Sequence, residues 1–522
     1  MRATSNDQTA IIVRVPADHE RSAGIGNGPT DWAPLPEDVP AAAEPLSNAR
    51  LRAVAWIAPL LVAAGMGAWN LATPGLSEEE LTTWGMVTAS SSDFRSVLVN
   101  TDATVGPYYV MMRAWTTLVG DTDLLFRLPS VVFAALAAAV VALVGTRLAG
   151  VRVGLAAGLL LALLPGFSRY AQEAQPYTLG MLAAAWATYL VINLAEQPRF
   201  RTYAGYAAAV LLLGLSHVAG LLVLLAHLLL IVRVRRSARA VLGWFAAVLV
   251  GVAPAVPILY LGSRQSGQLS WIPPLTWQRF AVTPELLFGA TIIAGAVMAL
   301  ALTALSLRTS AQVLTLWALV PAAALAAASL LITPLWVPRF LLFVLPAWAL
   351  LAALAVRRLT LLRGLVAVLG IGALAVPAQT SIRTVYGHDY ASRDVAEVLA
   401  ANQAAGDALL FGPYAGNDQL TGRDAVMRYL PEDRRPADPL MVRAPRTLGS
   451  IGAQECPDAE IPKCFGKPPR VWVVRKGTYT DALQNIGDAK DALLRQEFVE
   501  SEIWPLRGFT VALYVRKSTG KS

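Results

Sequence analysis

Long apolar runs recur from residue 53 to about residue 381, a pattern that no water-soluble core needs. A helix crossing a hydrocarbon layer about 30 Å thick takes roughly 20 apolar residues, because backbone groups cannot stay unpaired in lipid. The runs predict spans near 53–72, 127–147, 152–168, 177–195, 203–217, 218–232, 241–261, 284–306, 311–332, 338–356 and 364–381, about eleven in all. The expected fold class is a polytopic α-helical membrane protein, in keeping with 55% hydrophobic and 15% charged residues.

Arginines orient these spans, since short cytoplasmic loops hold an excess of Lys and Arg. With Arg50 and Arg52 taken as cytoplasmic, every second loop should be basic. Arg147 with Arg152, Arg199 with Arg201, the cluster from Arg233 to Arg239, Arg308, and the group Arg357, Arg358 and Arg363 all fall on that side. An odd number of spans then puts the carboxy-terminal region outside the plasma membrane. The net charge of +8 thus reads as topology, and no nucleic-acid partner is expected. Residues 1–49 lack the pattern of a secretory signal and are expected to form a disordered cytoplasmic tail.

The transmembrane part is expected over 50–391, with a first outside loop at about 73–123, and a small extracytoplasmic α/β domain over 392–522. There SRDVAEVLAANQAAGD reads as a helix, DALLFGP and VWVVRKG as strands, Asp481 to Val499 as a helix and GFTVALYVRK as a last strand. Cys456 and Cys464 both lie in this domain, where an oxidising compartment permits a disulfide. Reduced thiols are the alternative, and a zinc site is a poor one without a nearby histidine.

The first outside loop opens with LSEEELTTW. Ser77 and Glu80 match the S-x-x-E capping box, and acids suit the first turn of a helix. Capping uses one acid, whereas neighbours on a helix point about 100° apart, so Glu79 is free to face a cavity. LTTWGMVTA and GPYYVMMRAWTTLVG, with Tyr108 and Tyr109, are amphipathic enough to lie along the membrane interface. A second acid, Glu173, lies in SRYAQEAQPYTLG among Tyr170, Gln172, Gln175 and Tyr177. Ionisable groups near membrane depth mark functional sites, the alternative here being a cap on the helix that opens at Pro176. Arg127, Arg339 and His217 are expected on the same face. An outside arginine at headgroup level suits a lipid phosphate, or it anchors the helix by snorkelling.

Together these segments resemble the GT-C fold membrane glycosyltransferases, and among them the bacterial relatives of protein O-mannosyltransferases and of the lipid A aminoarabinose transferase. The resemblance covers about residues 53–350 in order, through the acidic pair, YYVMMRAWTTLVGDTDLLFRLPS, RYAQEAQPYTL and VPRFLLFVLPA. Glu79-Glu80 stands where that family usually carries Asp-Glu. Gln172-Glu173-Ala174-Gln175-Pro176-Tyr177 stands for its Q-E-A-R-P-Y, and Val105 and Pro107 precede the tyrosines where relatives often have a histidine or paired prolines.

The resemblance implies transfer of a mannose or arabinose-like sugar from a polyprenyl-phosphate donor to an extracytoplasmic protein, glycolipid or polysaccharide, with inversion. Glu79, with Glu80 beside it, would serve as base; Arg127 or Arg339 would hold the phosphate, and Glu173 would orient the acceptor or the loop. The possible acceptor lining is Tyr108, Tyr109, Tyr170, Gln172, Tyr177 and His217. No cofactor is called for, and a divalent metal finds no support in these residues. The chain shows no phosphate-binding loop, since GIGNG at 24–28 has no strand before it. A transporter or flippase of lipid-linked precursors is the alternative, though broken helices and paired repeats are not evident; an inactive scaffold relative is another.

Overall fold

The computed structural model describes residues 49–234, 238–308, 311–357, 359–413, 422–447 and 449–518, so the expected tail lies outside the described residues but for Ala49. Helices α1 (Ala49–Ala68), α2 (Glu78–Thr88), α3 (Ser91–Asn100), α4 (Gly106–Val119), α5 (Asp123–Ala149), α6 (Val151–Leu163), α7 (Pro165–Ala171), α8 (Tyr177–Glu196) and α9 (Phe200–Ser216) come first. They are followed by α10 (Val223–Val234), α11 (Ala238–Val252), α12 (Val256–Arg264), α13 (Trp277–Phe288), α14 (Thr291–Ala304), α15 (Gln312–Leu331), α16 (Leu345–Ala355) and α17 (Leu361–Ser381).

Among the described residues, seven helices are long and apolar enough to cross a membrane, or up to nine if each of two bent pairs is one span. The eleven expected spans all meet helices, but two are short. Helix α9 has 17 residues, about 25 Å at 1.5 Å per residue, and the apolar stretch Val218–Val234 is also shorter than the hydrocarbon layer.

Two expected straight spans are broken instead. Between α6 and α7 the axis turns by 67°, and between α13 and α14 by 91°. Leu164 precedes Pro165, and the proline ring forces the residue before it out of the helical region; Leu164 is extended at φ −67°, ψ 126°. At the other corner Gly289 ends α13 with φ +86°, which a side chain disfavours. The corners touch: a Cβ on Gly166 would lie 1.9 Å from the Leu287 carbonyl oxygen, and one on Gly289 would lie 2.4 Å from the Gly166 nitrogen. Glycine at both positions lets the two bent backbones pack.

The membrane core is rich in alanine, as Ala134, Ala138, Ala157, Ala183 and Ala187 show, and small residues let helices approach closely where lipid supplies no hydrophobic drive. One buried polar chain crosses it. Trp244 Nε1 donates to Tyr206 Oη (3.0 Å), Tyr206 to His227 Nδ1 (2.9 Å), and His227 Nε2 to Thr188 Oγ1 (3.1 Å), which itself donates to Ala184. Trp244 can only donate and Thr188 already donates to a carbonyl, so His227 Nε2 is the donor to Thr188.

The soluble domain holds α18 (Ser392–Asn402), α19 (Arg423–Tyr429), α20 (Ile461–Phe465) and α21 (Asp488–Glu497), with strands β1 (Ala408–Gly412), β2 (Met441–Arg443), β3 (Gln454–Glu455), β4 (Arg470–Lys476), β5 (Phe498–Leu506) and β6 (Phe509–Arg516). The main sheet runs β1-β4-β6-β5; β1 and β4 are parallel, with Leu410 opposite Val473, and the other pairs are antiparallel. The helix expected to reach Val499 stops at Glu497, and β5 was not anticipated. As an edge strand it exposes Glu500 and Glu502, and charge on an edge discourages pairing with other chains. Cys456 and Cys464 form a disulfide, which uses both thiols that a zinc ion would need.

The segment between α1 and α5 and this domain share one core, in which Leu81, Met86, Phe94, Tyr108 and Met112 pack with Val395, Phe411, Trp472 and Val511. The apolar sides of α2 and α4, expected to lie on lipid, are thus largely covered by the domain, and α4 leaves Val110 and Leu118 exposed. Gly85 sits in the middle of α2 because a Cβ there would meet the Arg446 guanidinium carbon at 2.1 Å.

Replacing His227 by Leu leaves Tyr206 and Thr188 without their shared partner. This should lower stability by about 1–2 kcal/mol. Thermal unfolding of the purified protein in detergent reads the change, and an unshifted midpoint would show that these hydrogen bonds do not fasten α8 to α11.

Candidate active site

Helix α2 starts with a complete capping box. Ser77 Oγ accepts from the Glu80 N–H (3.3 Å), and Glu80 Oε2 accepts from the Ser77 N–H (3.0 Å). Glu80 does more than cap, because Arg127 Nε and Nη2 each donate to it at 2.7 Å and the Ala174 N–H donates at 2.9 Å. Arg127 also donates through Nη1 to the carbonyls of Leu71 and Pro74 and through Nη2 to that of Gly75, each at 2.9 Å. His388 Nδ1 lies 3.2 Å from Nη2 and shares one of its hydrogens.

Neither side chain of the Arg127–Glu80 pair reaches solvent, both being 0% exposed. Burial by itself raises the pKa of Glu80, but the charge and hydrogen bonds of Arg127 outweigh it and hold the carboxyl below the usual range. Burial pushes His388 well below the ordinary histidine value and so keeps it neutral. With every N–H of Arg127 engaged, the phosphate contact expected of it has no donor left. Glu80 is equally closed to an acceptor, so the catalytic part considered for it is withdrawn.

Glu79 stands on another side of α2. Its Oε1 lies 3.0 Å from Arg339 Nη2, and the two side chains are 29% and 28% exposed. Arg339 is the second residue of the 3-10 segment Pro338–Val344 ahead of α16, and its guanidinium covers Trp271 at 5.2 Å. Its Nε is buried with no hydrogen-bond partner among the described residues. An aromatic row adjoins this pair: Tyr170 meets Tyr177 edge-on at 5.3 Å, Tyr177 is 5.8 Å from His217, and His217 is 4.8 Å from Phe340. A carboxylate, a guanidinium and a polar aromatic wall therefore meet at the ends of apolar helices.

Residues 105–261 match the family model described as dolichyl-phosphate-mannose-protein mannosyltransferase. ArnT from Cupriavidus metallidurans in the apo state superposes with a TM-score of 0.59 at 14% identity, over 88% of this chain and 98% of that one. ArnT from the same organism bound to undecaprenyl phosphate gives 0.54 at 15% identity over the same shares. The chain has the GT-C fold. An oligosaccharyltransferase of Archaeoglobus fulgidus tethered to an acceptor peptide aligns more loosely, with a TM-score of 0.48 at 11% identity over 91% of this chain and 75% of that one. No protein of curated function matches the sequence.

Within the GT-C fold the remaining expected residues divide into lining and support. Tyr170, Tyr177 and His217 form the aromatic row beside Arg339, whereas Gln172, Tyr108 and Tyr109 are buried outside that row. Gln172 Nε2 donates to the carbonyls of Gly67 (2.9 Å) and Trp69 (2.7 Å), and Tyr109 donates to Asp102 at 2.6 Å. Glu173 accepts from Ser77 Oγ at 2.8 Å and from Arg169 Nη1 at 3.0 Å, so it ties α7 to the cap of α2. Its pKa is raised by burial, against the Arg169 charge and with the charges of Glu79 and Glu80. Gln175 Nε2 donates to the Glu79 carbonyl (2.7 Å) and Thr83 Oγ1 (2.8 Å), which supports the helix turn that carries Glu79. Sequence reasoning missed Trp271, Phe340 and His388. The first two sit beside prolines in SWIPP and VPRF, a cue for broken helix ends, while His388 gives no local signal.

Read as a cap alone, Glu80 would tolerate glutamine. The geometry reverses that expectation, since Glu80→Gln leaves the buried Arg127 charge unpaired and faces an amide N–H toward its donors. Loss of about 3–5 kcal/mol is expected, seen as poor recovery of folded protein and a lowered unfolding midpoint in detergent. Wild-type stability in the variant would show that the pair is dispensable.

Proposed function

We propose that the protein is a membrane glycosyltransferase that moves a mannose or arabinose-like sugar from a polyprenyl-phosphate carrier to a hydroxyl of an extracytoplasmic protein, glycolipid or polysaccharide. The observation that carries this reading is the partly exposed Glu79–Arg339 pair beside a sealed Arg127–Glu80 pair. One carboxylate and one guanidinium remain open to substrate, the carboxylate on a helix that the other pair anchors. The ArnT structure with undecaprenyl phosphate supports the class of donor.

A lipid phosphate that reaches Arg339 competes with Glu79 for its N–H groups, and Nε offers a second donor for bidentate binding. Glu79, released from that contact, accepts the proton of the acceptor hydroxyl as the hydroxyl oxygen bonds to the anomeric carbon. The bond from that carbon to the phosphate oxygen breaks, and its electron pair leaves on the polyprenyl phosphate, whose charge Arg339 neutralises. A single displacement inverts the anomeric centre. Tyr170, Tyr177, His217 and Phe340 offer apolar faces with polar edges to a sugar ring. We also assign the Arg50 side of the membrane to the cytoplasm and the soluble domain to the outside, on the alternation of the arginine loops.

The two bent helix pairs favour a second reading, a carrier of lipid-linked precursors, because broken helices also line transport sites. Purified protein given a labelled polyprenyl-phosphate sugar separates the two, since a carrier moves the donor without consuming it. Glu79→Gln, which keeps size but takes no proton, should lower kcat by about 10² to 10⁴ while the protein still folds and binds donor; near-normal turnover would remove Glu79 from the chemistry. Arg339→Ala should raise the KM for donor by roughly 30-fold, as loss of a charge-assisted phosphate contact implies, with little change in the KM for acceptor. An unaltered donor KM would return Arg339 to anchoring. A reporter fused after Ser522 that fluoresces only in the cytoplasm should stay dark, and a bright fusion would invert the assigned orientation.

A further inference from the structure

The turn before α2 is held in an unusual way. Every backbone carbonyl from Leu71 to Leu76 accepts a hydrogen bond from a side chain remote in sequence. Arg127, in the membrane body, takes those of Leu71, Pro74 and Gly75. Arg393, on the first turn of α18 in the soluble domain, takes the two between: Nη2 donates to Ala72 at 2.7 Å and Nη1 to Thr73 at 3.1 Å. Ser392 Oγ donates to Leu76 at 2.9 Å. Two arginines from opposite bodies thus interleave on one short turn.

Arg393 is itself fixed. Its Nη2 lies 2.5 Å from Asp123 Oδ2, and Asp123, at the start of α5, also accepts from Arg428 (2.8 Å) and Tyr429 (2.9 Å) of α19. The Arg393 guanidinium covers the Tyr429 ring at 5.6 Å. A planar fork with fixed donor directions suits two adjacent carbonyls and a carboxylate, of which a single ammonium can still serve a part.

We propose that Arg393 is a positioning residue for the transfer reaction: by holding the carbonyls of Ala72 and Thr73 it sets the direction of α2, and through α2 the Glu79 carboxylate. The soluble domain is then a working part of the active site. Arg393 touches neither Glu79 nor Arg339, so it acts only through the turn and the Ser77 cap. A shift of about 1 Å in a reacting group lowers rate far more than it lowers binding at a separate phosphate contact. This inference rests on the proposed role of Glu79.

The test uses the full-length protein in lipid nanodiscs. Arg393→Met removes the hydrogen bonds and keeps the stem on Tyr429; Arg393→Lys keeps charge and one donor centre. Arg495→Ala removes an exposed ion pair elsewhere in the same domain and serves as the control. With a polyprenyl-phosphate sugar as donor, Arg393→Met should lose at least tenfold in kcat with donor KM within twofold of wild type, Arg393→Lys should regain a substantial part of that loss, and Arg495→Ala should match wild type. A kcat for Arg393→Met equal to that of the control, a donor KM that rises in step with the fall in kcat, or an Arg393→Lys as impaired as Arg393→Met would overturn the positioning role.

Amide hydrogen exchange over residues 78–88 supplies a readout that does not need turnover. Exchange should be at least tenfold faster in Arg393→Met than in wild type and the control, and equal exchange would overturn the proposal. Wild-type protein that consumes no polyprenyl-phosphate sugar, yet shows this exchange difference, would reject the proposed function and leave the coupling of domain to helix standing. Should Arg393→Met not fold, Arg393→Lys carries the same comparisons: intermediate kcat and exchange support the role, and wild-type values in both overturn it.

Discussion

A guanidinium sealed from water must find a carboxylate and an acceptor for each N–H, or the cost of burying its charge is several kcal/mol. Arg127 meets that demand only because separate pieces of chain converge on it: the turn from Leu71 to Gly75, Glu80 on α2, and His388 from the connection between α17 and α18. Glu80 in turn receives the Ala174 N–H from the segment after α7. The membrane body, the segment between α1 and α5, and the approach to the soluble domain are thus locked at one point. Everything at the candidate site is measured from it.

The run Glu78-Glu79-Glu80 shows what that lock does. Three identical side chains, about 100° apart around one helix, meet three different cations. Glu78 turns to Lys476 and Tyr390 of the soluble domain and its approach, Glu80 turns inward to Arg127, and Glu79 turns sideways to Arg339 at the ends of the membrane helices. Two of the three thereby anchor α2 from opposite sides. The third is the most exposed, 29% against 20% for Glu78 and 0% for Glu80, and it pairs with a cation that has a spare buried donor.

The broken helices serve the same end from below. Pro165 turns α7 away from α6, and that short helix delivers Arg169, Tyr170 and the segment Gln172–Gln175 to the underside of α2. The corner at Gly289 packs against Gly166 with no room for a side chain on either. Polar backbone and polar side chains at this depth are tolerated because they are buried in protein and bonded to one another.

Much of this was legible in the amino-acid order. Apolar length is a local property, so the helices, the alternation of arginines and the split into a membrane body and an α/β domain follow from composition along the chain, and the capping box at Ser77 and Glu80 follows from a spacing of three. The choice among the glutamates and among the arginines did not follow. Glu79 and Glu80 are chemically alike and adjacent; which is sealed and which is open depends on Arg127 and Arg339, 47 positions from Glu80 and far beyond Glu79, respectively. His388 contacts Arg127 across 261 positions, and Arg393 reaches Ala72 across 321, with no pattern near either to announce it. Local order sets which backbone conformations and which burial are favourable, whereas the partner of a charge is settled only where the folded chain brings two distant segments within about 3 Å, and that geometry decided which carboxylate can act.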